Sequence, residues 1–288
     1  MKNSPQSSAR PFLKWAGGKT QLLPELLARA PQQISTYFEP FLGGGALFFA
    51  LASDPARSPR RAVLNDRSGE LITTYQVVRD ELGALVERLQ DLEARYLASD
   101  EEGRGQVYYA VRDEQPVEPV ELAARLIFLN KTCYNGLYRV NRRGRFNVPH
   151  GRYRKPRILD CETLTAASRA LADADLMDVD FEQACAEAGP GDFVYFDPPF
   201  HPLSATSSFT GYTEASFGRG DQLRLKWRVD ELTARGVAAM VSNSPHDFVL
   251  GMYEGSRYRV EELPARRAIN SRADRRGAIG ELLITNGC

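Results

Sequence analysis

The chain has 288 residues, 43% hydrophobic and 26% charged, which excludes a disordered or fibrous protein and is long enough for one large domain or a core domain with a smaller insert. Lys plus Arg and Asp plus Glu each number 37, so net charge alone neither requires nor excludes a polyanionic partner. Cys133, Cys161, Cys185 and Cys288 are scattered without a C-x-x-C pair, which argues against a disulfide framework or a zinc site.

The polar opening Met1 to Arg10 lacks the apolar core of a signal peptide, and no apolar run reaches the ~18 residues of a membrane span. A soluble, cytoplasmic protein is expected. Next comes Trp15-Ala16-Gly17-Gly18-Lys19-Thr20, which contains Gly-Lys-Thr. Leu13 stands where a phosphate loop needs its first glycine, and no strand precedes it, so nucleotide hydrolysis is not indicated.

Tyr37-Phe38 predicts a strand that breaks into Glu39-Pro40-Phe41-Leu42-Gly43-Gly44-Gly45 and then an apolar, helix-like stretch. Such a turn lets backbone approach a ligand at the carboxyl edge of a sheet. It is not the dinucleotide fingerprint, because Phe48 occupies the third glycine position. Ala62-Val63-Leu64 predicts a second strand, and Asp66 just beyond it is placed to accept hydrogen bonds from ribose hydroxyls. Together the two features suggest a nucleoside site; separately they are an ordinary turn and an ordinary strand-end acid.

Leu82, Leu85, Val86, Leu89 and Leu92, then Leu122, Leu126 and Leu129, recur at helical spacing and predict a helical insert. Arg79 to Glu121 holds twelve acidic residues against five basic ones. From Lys131 to Arg157 the sign reverses to nine basic residues and no acid. That stretch interleaves Tyr134, Tyr138 and Tyr153 with Asn135, Asn141 and Asn147 in hairpin-like punctuation. Arg, Lys and Asn suit phosphates and base edges, and aromatics stack or wedge between bases, so a nucleic-acid surface is favoured over a merely solvated loop.

Phe193-Val194-Tyr195-Phe196 predicts a buried strand ending in Asp197-Pro198-Pro199-Phe200. Prolines are ordinary strand terminators, but a second chemistry accounts for all four residues. An exocyclic base nitrogen is a poor nucleophile because its lone pair is delocalised into the ring. The Asp197 carboxylate and the Pro198 carbonyl supply acceptors that favour the pyramidal form, and Phe200 offers a face to an extruded base. A sulfonium methyl is already activated, so neither a covalent intermediate nor a metal is required.

Downstream, Val237 to Val241 and Leu282 to Ile284 predict further strands of an α/β sheet. Ser204 to Phe209 reads as a small polar loop. Arg266, Arg267, Arg272, Arg275 and Arg276 form a second basic cluster suited to phosphate. His150, His201 and His246 lack metal-ligand spacing and are assigned surface or structural roles.

The ordered set Phe12 to Lys19, Phe38 to Gly45, Tyr134 to Tyr153 and Asp197 to Phe200 resembles the Dam-type DNA adenine-N6 methyltransferases over nearly the whole chain. The resemblance implies a Rossmann-like S-adenosylmethionine-dependent α/β fold over 1–67 and 176–288, with a helical plus β-hairpin target-recognition insert at 68–175. It implies catalytic roles for Asp197, Pro198 and Phe200, and cofactor contacts from Trp15, Lys19, Glu39, Phe41, Gly43, Asp66 and Asp197. Lys14, Asn135, Leu137, Arg139 and Pro149 fall on base-contacting positions and Tyr134 on an intercalating one; Asn141, Asn147 and Arg152 match phosphate contacts.

The implied substrate is adenine flipped out of double-stranded DNA, with GATC as target; separately, a monomer with no obligate protein partner is expected. Phe200 departs from the tyrosine common in the family but keeps the stacking face. Two other classes stay open: amino methylation of RNA or protein, whose planar nitrogens suit the same corner, and a non-catalytic DNA-binding homologue.

Overall fold

Every apolar run read above as a strand folds as one, being rich in Val, Phe, Tyr, Leu or Ile and too short for a stable helix. The computed structural model describes residues 8–15, 17–141, 143–200, 217–255, 257–266 and 278–287. In chain order the first elements are α1 (Leu23–Arg29), β1 (Thr36–Glu39), α2 (Ala46–Ala52), β2 (Arg61–Asn65), α3 (Gly69–Asp80), α4 (Leu82–Ala98), α5 (Glu101–Asp113), α6 (Pro119–Thr132) and α7 (Cys161–Leu171). Then follow β3 (Ala174–Met177), α8 (Phe181–Ala184), β4 (Phe193–Phe196), α9 (Arg219–Ala234), β5 (Ala238–Asn243), α10 (Asp247–Met252), β6 (Arg259–Arg266) and β7 (Ala278–Thr285).

Two strands have no apolar run to announce them. Of these, β6 closes an end of the strand order. An edge strand needs only one buried side and tolerates charge, as in Arg259-Val260-Glu261-Glu262, and proline, as at Pro264.

The chain divides into two compact units. One comprises 19–42, 54–65 and 179–288 and carries, among its described residues, strands in the order β2-β1-β4-β5-β7-β6. β1 pairs in parallel with both β2 and β4, and β4 in parallel with β5. β7 is antiparallel to β5 and to β6. All four residues of β4 are buried, as expected of a strand in the middle of a parallel sheet. The order reverses at β1, whose successor β2 lies on one side and β4 on the other. Ligands of doubly wound sheets bind beyond the carboxyl ends at such a switch point, where this unit carries Glu39 and Asp197.

The other unit comprises 1–18, 43–53 and 66–178 and holds α2 to α7 with β3. Leu85, Leu89, Leu92 and Tyr96 of α4 and Leu126 and Leu129 of α6 are buried, as their spacing predicts. Ser68, Asp100 and Asp160 cap α3, α5 and α7 by accepting backbone N–H bonds. The basic stretch folds back as an irregular hairpin with isolated bridges Val140 to Phe146 and Cys133 to His150. Among the described residues no helix is long and apolar enough to cross a membrane.

Candidate active site

In the sheet-bearing unit, β4 stops at Phe196 because Pro198 and Pro199 have no N–H with which to continue the ladder. The turn they make is pinned from behind. Gln222 Nε2 of α9 donates to the Pro199 carbonyl at 3.2 Å, and Asn243 Nδ2 at the end of β5 donates to Gln222 Oε1 at 2.9 Å. Both are buried, so the corner is held by amides that water does not reach.

At that corner Asp197 Oδ1 lies 2.8 Å from Lys19 Nζ, and Glu281 Oε1 of β7 lies 3.0 Å from the same ammonium. Lys19 is only 5% exposed, and a lysine so buried must be paired. Burial pulls its pKa down, but Asp197 and Glu281 outweigh that and leave it raised, so Lys19 stays charged. Burial pushes the Asp197 carboxyl up, Lys19 pulls it back and Glu281 adds to the rise, leaving it at about 6. The Asp197 side chain keeps 21% exposure, enough for an incoming amino group to reach it. Lys19 Nζ also sits 4.5 Å from the centroid of the Phe200 ring, a cation–π contact that fixes the aromatic end of the motif.

One ammonium between two carboxylates carries a net charge of −1, a setting that suits a cationic sulfonium. Glu39, 3% exposed at the end of β1, accepts the Tyr37 hydroxyl at 2.9 Å. Phe41 stacks on Phe181 at 5.4 Å and meets the edge of Phe217 at 5.5 Å, leaving it half-buried as an apolar wall for a purine.

In the helical unit, Gly43 has φ +48°, and a Cβ there would come 2.7 Å from Cδ1 of Trp15. The close approach that this glycine permits is therefore made by the Trp15 indole. The Gly43 N–H donates to Asp66 Oδ2 and the Ser68 N–H to Asp66 Oδ1, both at 3.0 Å, and the Tyr75 hydroxyl donates to the Gly43 carbonyl at 3.1 Å. Burial raises the Asp66 carboxyl, and the two N–H bonds only partly offset it. Each carboxylate oxygen accepts two bonds, so both can also take a ribose hydroxyl. Within this unit the Asp66 carboxylate thus fits a ribose, and within the sheet-bearing unit the acidic corner fits a cationic sulfonium.

The hairpin arranges the other residues. Tyr134 is 48% exposed, Asn135 (φ +56°) and Arg152 (φ +53°) are left-handed, and Lys14, Arg139 and Pro149 are exposed with Leu137 half-buried. Arg139 Nε donates to Asn147 Oδ1 at 2.7 Å. Asn141 Oδ1 accepts the N–H groups of Arg143 and Arg145 at 2.9 and 3.1 Å and shapes the tip. Both asparagines thereby commit their acceptor end inside the hairpin, and their amide donors are the end suited to phosphate. His150 is structural, as expected: its Nε2 bonds the Tyr96 hydroxyl at 2.7 Å. His246 caps α10, its Nδ1 accepting the Phe248 N–H at 3.0 Å. Ser204 to Phe209, His201, Arg267, Arg272, Arg275, Arg276 and the side chain of Arg266 lie outside the described residues.

Sequence reading assigned Lys19, Gly43, Asp66 and Asp197 to one cofactor pocket, without showing which of them touch. It missed Glu281, Gln222 and Asn243. Glu281 alone carried a signal, as the one charge in the otherwise apolar run Ala278 to Ile284.

A family model described as D12 class N6 adenine-specific DNA methyltransferase matches residues 15–269. The chain is 42% identical to the type II methyltransferase M.MjaIII of Methanocaldococcus jannaschii, over 96% of this chain and 99% of that one. It is 40% identical to the type II methyltransferase M1.LlaDCHI of Lactococcus lactis subsp. cremoris, over 96% and 95%. To the DNA adenine methylase of Escherichia coli K12 it is 35% identical, over 95% and 94%. The acidic corner closing β4 and the basic hairpin thus occur in a sequence matched along most of its length, and the chain belongs to the D12 class of N6 adenine-specific DNA methyltransferases.

Proposed function

We propose that the protein transfers a methyl group from S-adenosylmethionine to N6 of an adenine turned out of duplex DNA, with GATC as its target. The observation that carries the reading is the Asp197 corner, a reachable carboxylate beside the Pro198 carbonyl and the Phe200 ring, on a turn braced by Gln222. Asp197 and the Pro198 carbonyl accept hydrogen bonds from N6, drawing its lone pair out of conjugation, while Phe200 stacks on the base. S-adenosylmethionine supplies a methyl already activated by the sulfonium. Asp66 takes its ribose hydroxyls, Trp15, Glu39, Phe41 and Gly43 line its pocket, and Lys19 holds Asp197 in place. Segments 1–67 and 176–288 form the catalytic part and 68–175 the target-recognition part. The protein works in the cytoplasm without an obligate partner.

Lys14 of the first segment and Asn135, Leu137, Arg139 and Pro149 of the recognition part contact bases, Tyr134 intercalates, and Asn141, Asn147 and Arg152 meet phosphate. Incubating purified protein and S-adenosylmethionine with a randomised duplex pool, then locating methylated adenines by modification-sensitive sequencing, tests this directly. Methylation confined to GATC is expected. Another motif would discard the target and keep the chemistry; no methylation of DNA, with transfer to RNA or protein, would overturn the substrate. In the same assay Arg139→Ala should relax selectivity by ~1–3 kcal/mol at one base pair, and an unchanged profile would remove Arg139 from the readers.

Gly43→Ala places a methyl against the Trp15 indole on a left-handed backbone that costs about 1–2 kcal/mol for an L-residue. Calorimetry should show S-adenosylmethionine binding weakened about tenfold. Unchanged affinity would separate Trp15 from the cofactor pocket.

A further inference from the structure

Residues distant in sequence form one continuous path inside the helical unit. It starts at Arg125 of α6, only 6% exposed, whose Nε donates to the Val111 carbonyl at 3.1 Å and whose Nη2 donates to the Arg112 carbonyl at 2.6 Å. Its remaining nitrogen, Nη1, donates to Glu70 Oε1 at 3.0 Å, and the other Glu70 oxygen accepts the Tyr138 hydroxyl at 2.8 Å. The Tyr138 ring stacks on the Trp15 indole with centroids 4.9 Å apart and planes 23° from parallel. Trp15 in turn lies against Gly43, whose N–H holds Asp66. A guanidinium fixed on two backbone carbonyls thus orients a carboxylate, the carboxylate a phenol, and the phenol an indole.

The same short segment is tied to the hairpin at a second place. The Lys14 N–H donates to Asn130 Oδ1 at 2.8 Å, and Asn130 Nδ2 donates to the Lys14 carbonyl at 2.7 Å and the Gly136 carbonyl at 3.3 Å. Asn130 is buried, and a Cβ on Gly136 would come within 2.6 Å of Lys14 Cδ. Lys14 and Trp15 are therefore fastened on both sides to the turn Asn135-Gly136-Leu137-Tyr138-Arg139.

We propose that Tyr138 is a positioning residue that couples target recognition to cofactor binding, through its stack on Trp15 and its hydrogen bond to Glu70. The inference rests on the reading that Trp15 contacts S-adenosylmethionine and that the hairpin contacts DNA. Two ligands that order the same element each lower the cost of ordering it for the other, and the coupling is reciprocal. Burial and the neighbouring Glu70 carboxylate push the Tyr138 phenol well above its ordinary range, so at neutral pH the hydroxyl remains a donor.

The test is a coupling ratio, the affinity for S-adenosylhomocysteine with target duplex divided by that without it, measured by calorimetry on the full chain so that no turnover occurs. The wild type should give a ratio of about 5 or more. Tyr138→Leu, which removes both the stack and the hydroxyl, should bring the ratio to 1 while melting as the wild type does. Tyr138→Phe keeps the stack, loses the Glu70 bond and should fall between. If Tyr138→Leu does not fold, Glu70→Gln, which removes the charge paired with Arg125, serves instead and should lower the ratio. A folded Tyr138→Leu with the wild-type ratio, or a wild type that binds both ligands with a ratio of 1, overturns the proposal. A wild type that binds neither ligand overturns the methyltransferase reading itself.

Discussion

Asp197→Asn should lower methyl transfer by about 10²–10³-fold or more while leaving duplex binding intact. The substitution preserves shape but swaps a carboxylate oxygen for an N–H donor that faces the amino hydrogens it should accept. Lys19 keeps Glu281 as its partner, so the fold should survive. The wild type carries an independent signature of the same group. Because burial holds the Asp197 carboxyl at about 6, turnover should be flat above neutrality and fall as the carboxylate takes a proton. Below that point the loss approaches about tenfold per pH unit. Single-turnover transfer of labelled methyl between pH 5 and 8 reads both effects. A flat profile to pH 5, or an active Asp197→Asn enzyme, would take Asp197 out of the chemistry; joint loss of binding and melting temperature would indicate misfolding.

The second large effect is on stability. Lys19→Met removes the ammonium that pairs with both Asp197 and Glu281, two carboxylates that keep 21% and 11% side-chain exposure. Deleting one partner of a buried ion cluster costs about 3–5 kcal/mol because the remaining charges stay where water cannot solvate them. Without Lys19 the Asp197 carboxyl, which Lys19 pulls down, rises further. The native state then binds protons that the unfolded chain does not, so stability increases as pH falls through the acidic range. The deficit should be greatest above neutrality and shrink toward pH 5, measured by urea denaturation at pH 7.5 and 5. A deficit independent of pH would mean that Lys19 contributes packing rather than charge.

How much of this was legible beforehand differs from residue to residue. Phe193 to Phe196 announced a strand because a buried parallel strand shows no polar alternation, and the two prolines announced where it ends. Helices α4 and α6 were legible from the spacing of their leucines. β6 was not, because an edge strand carries Arg259, Glu261 and Glu262 on a pattern that reads as a surface segment.

The sequence by itself determined the residue types that the chemistry needs: a carboxylate at a strand end, glycines after another strand, and a basic hairpin studded with Tyr and Asn. These are local, set by what neighbours in the chain can do to backbone geometry and charge. Only the tertiary structure decided which of them touch. It brought Glu281, near one end of the chain, to Lys19, near the other, and Tyr138 to Trp15 and Glu70. Strand order and helix packing make such pairs, and neither is written in any local pattern. Desolvation raised the Asp197 carboxyl, and desolvation depends on everything packed around a group rather than on the residues beside it in sequence.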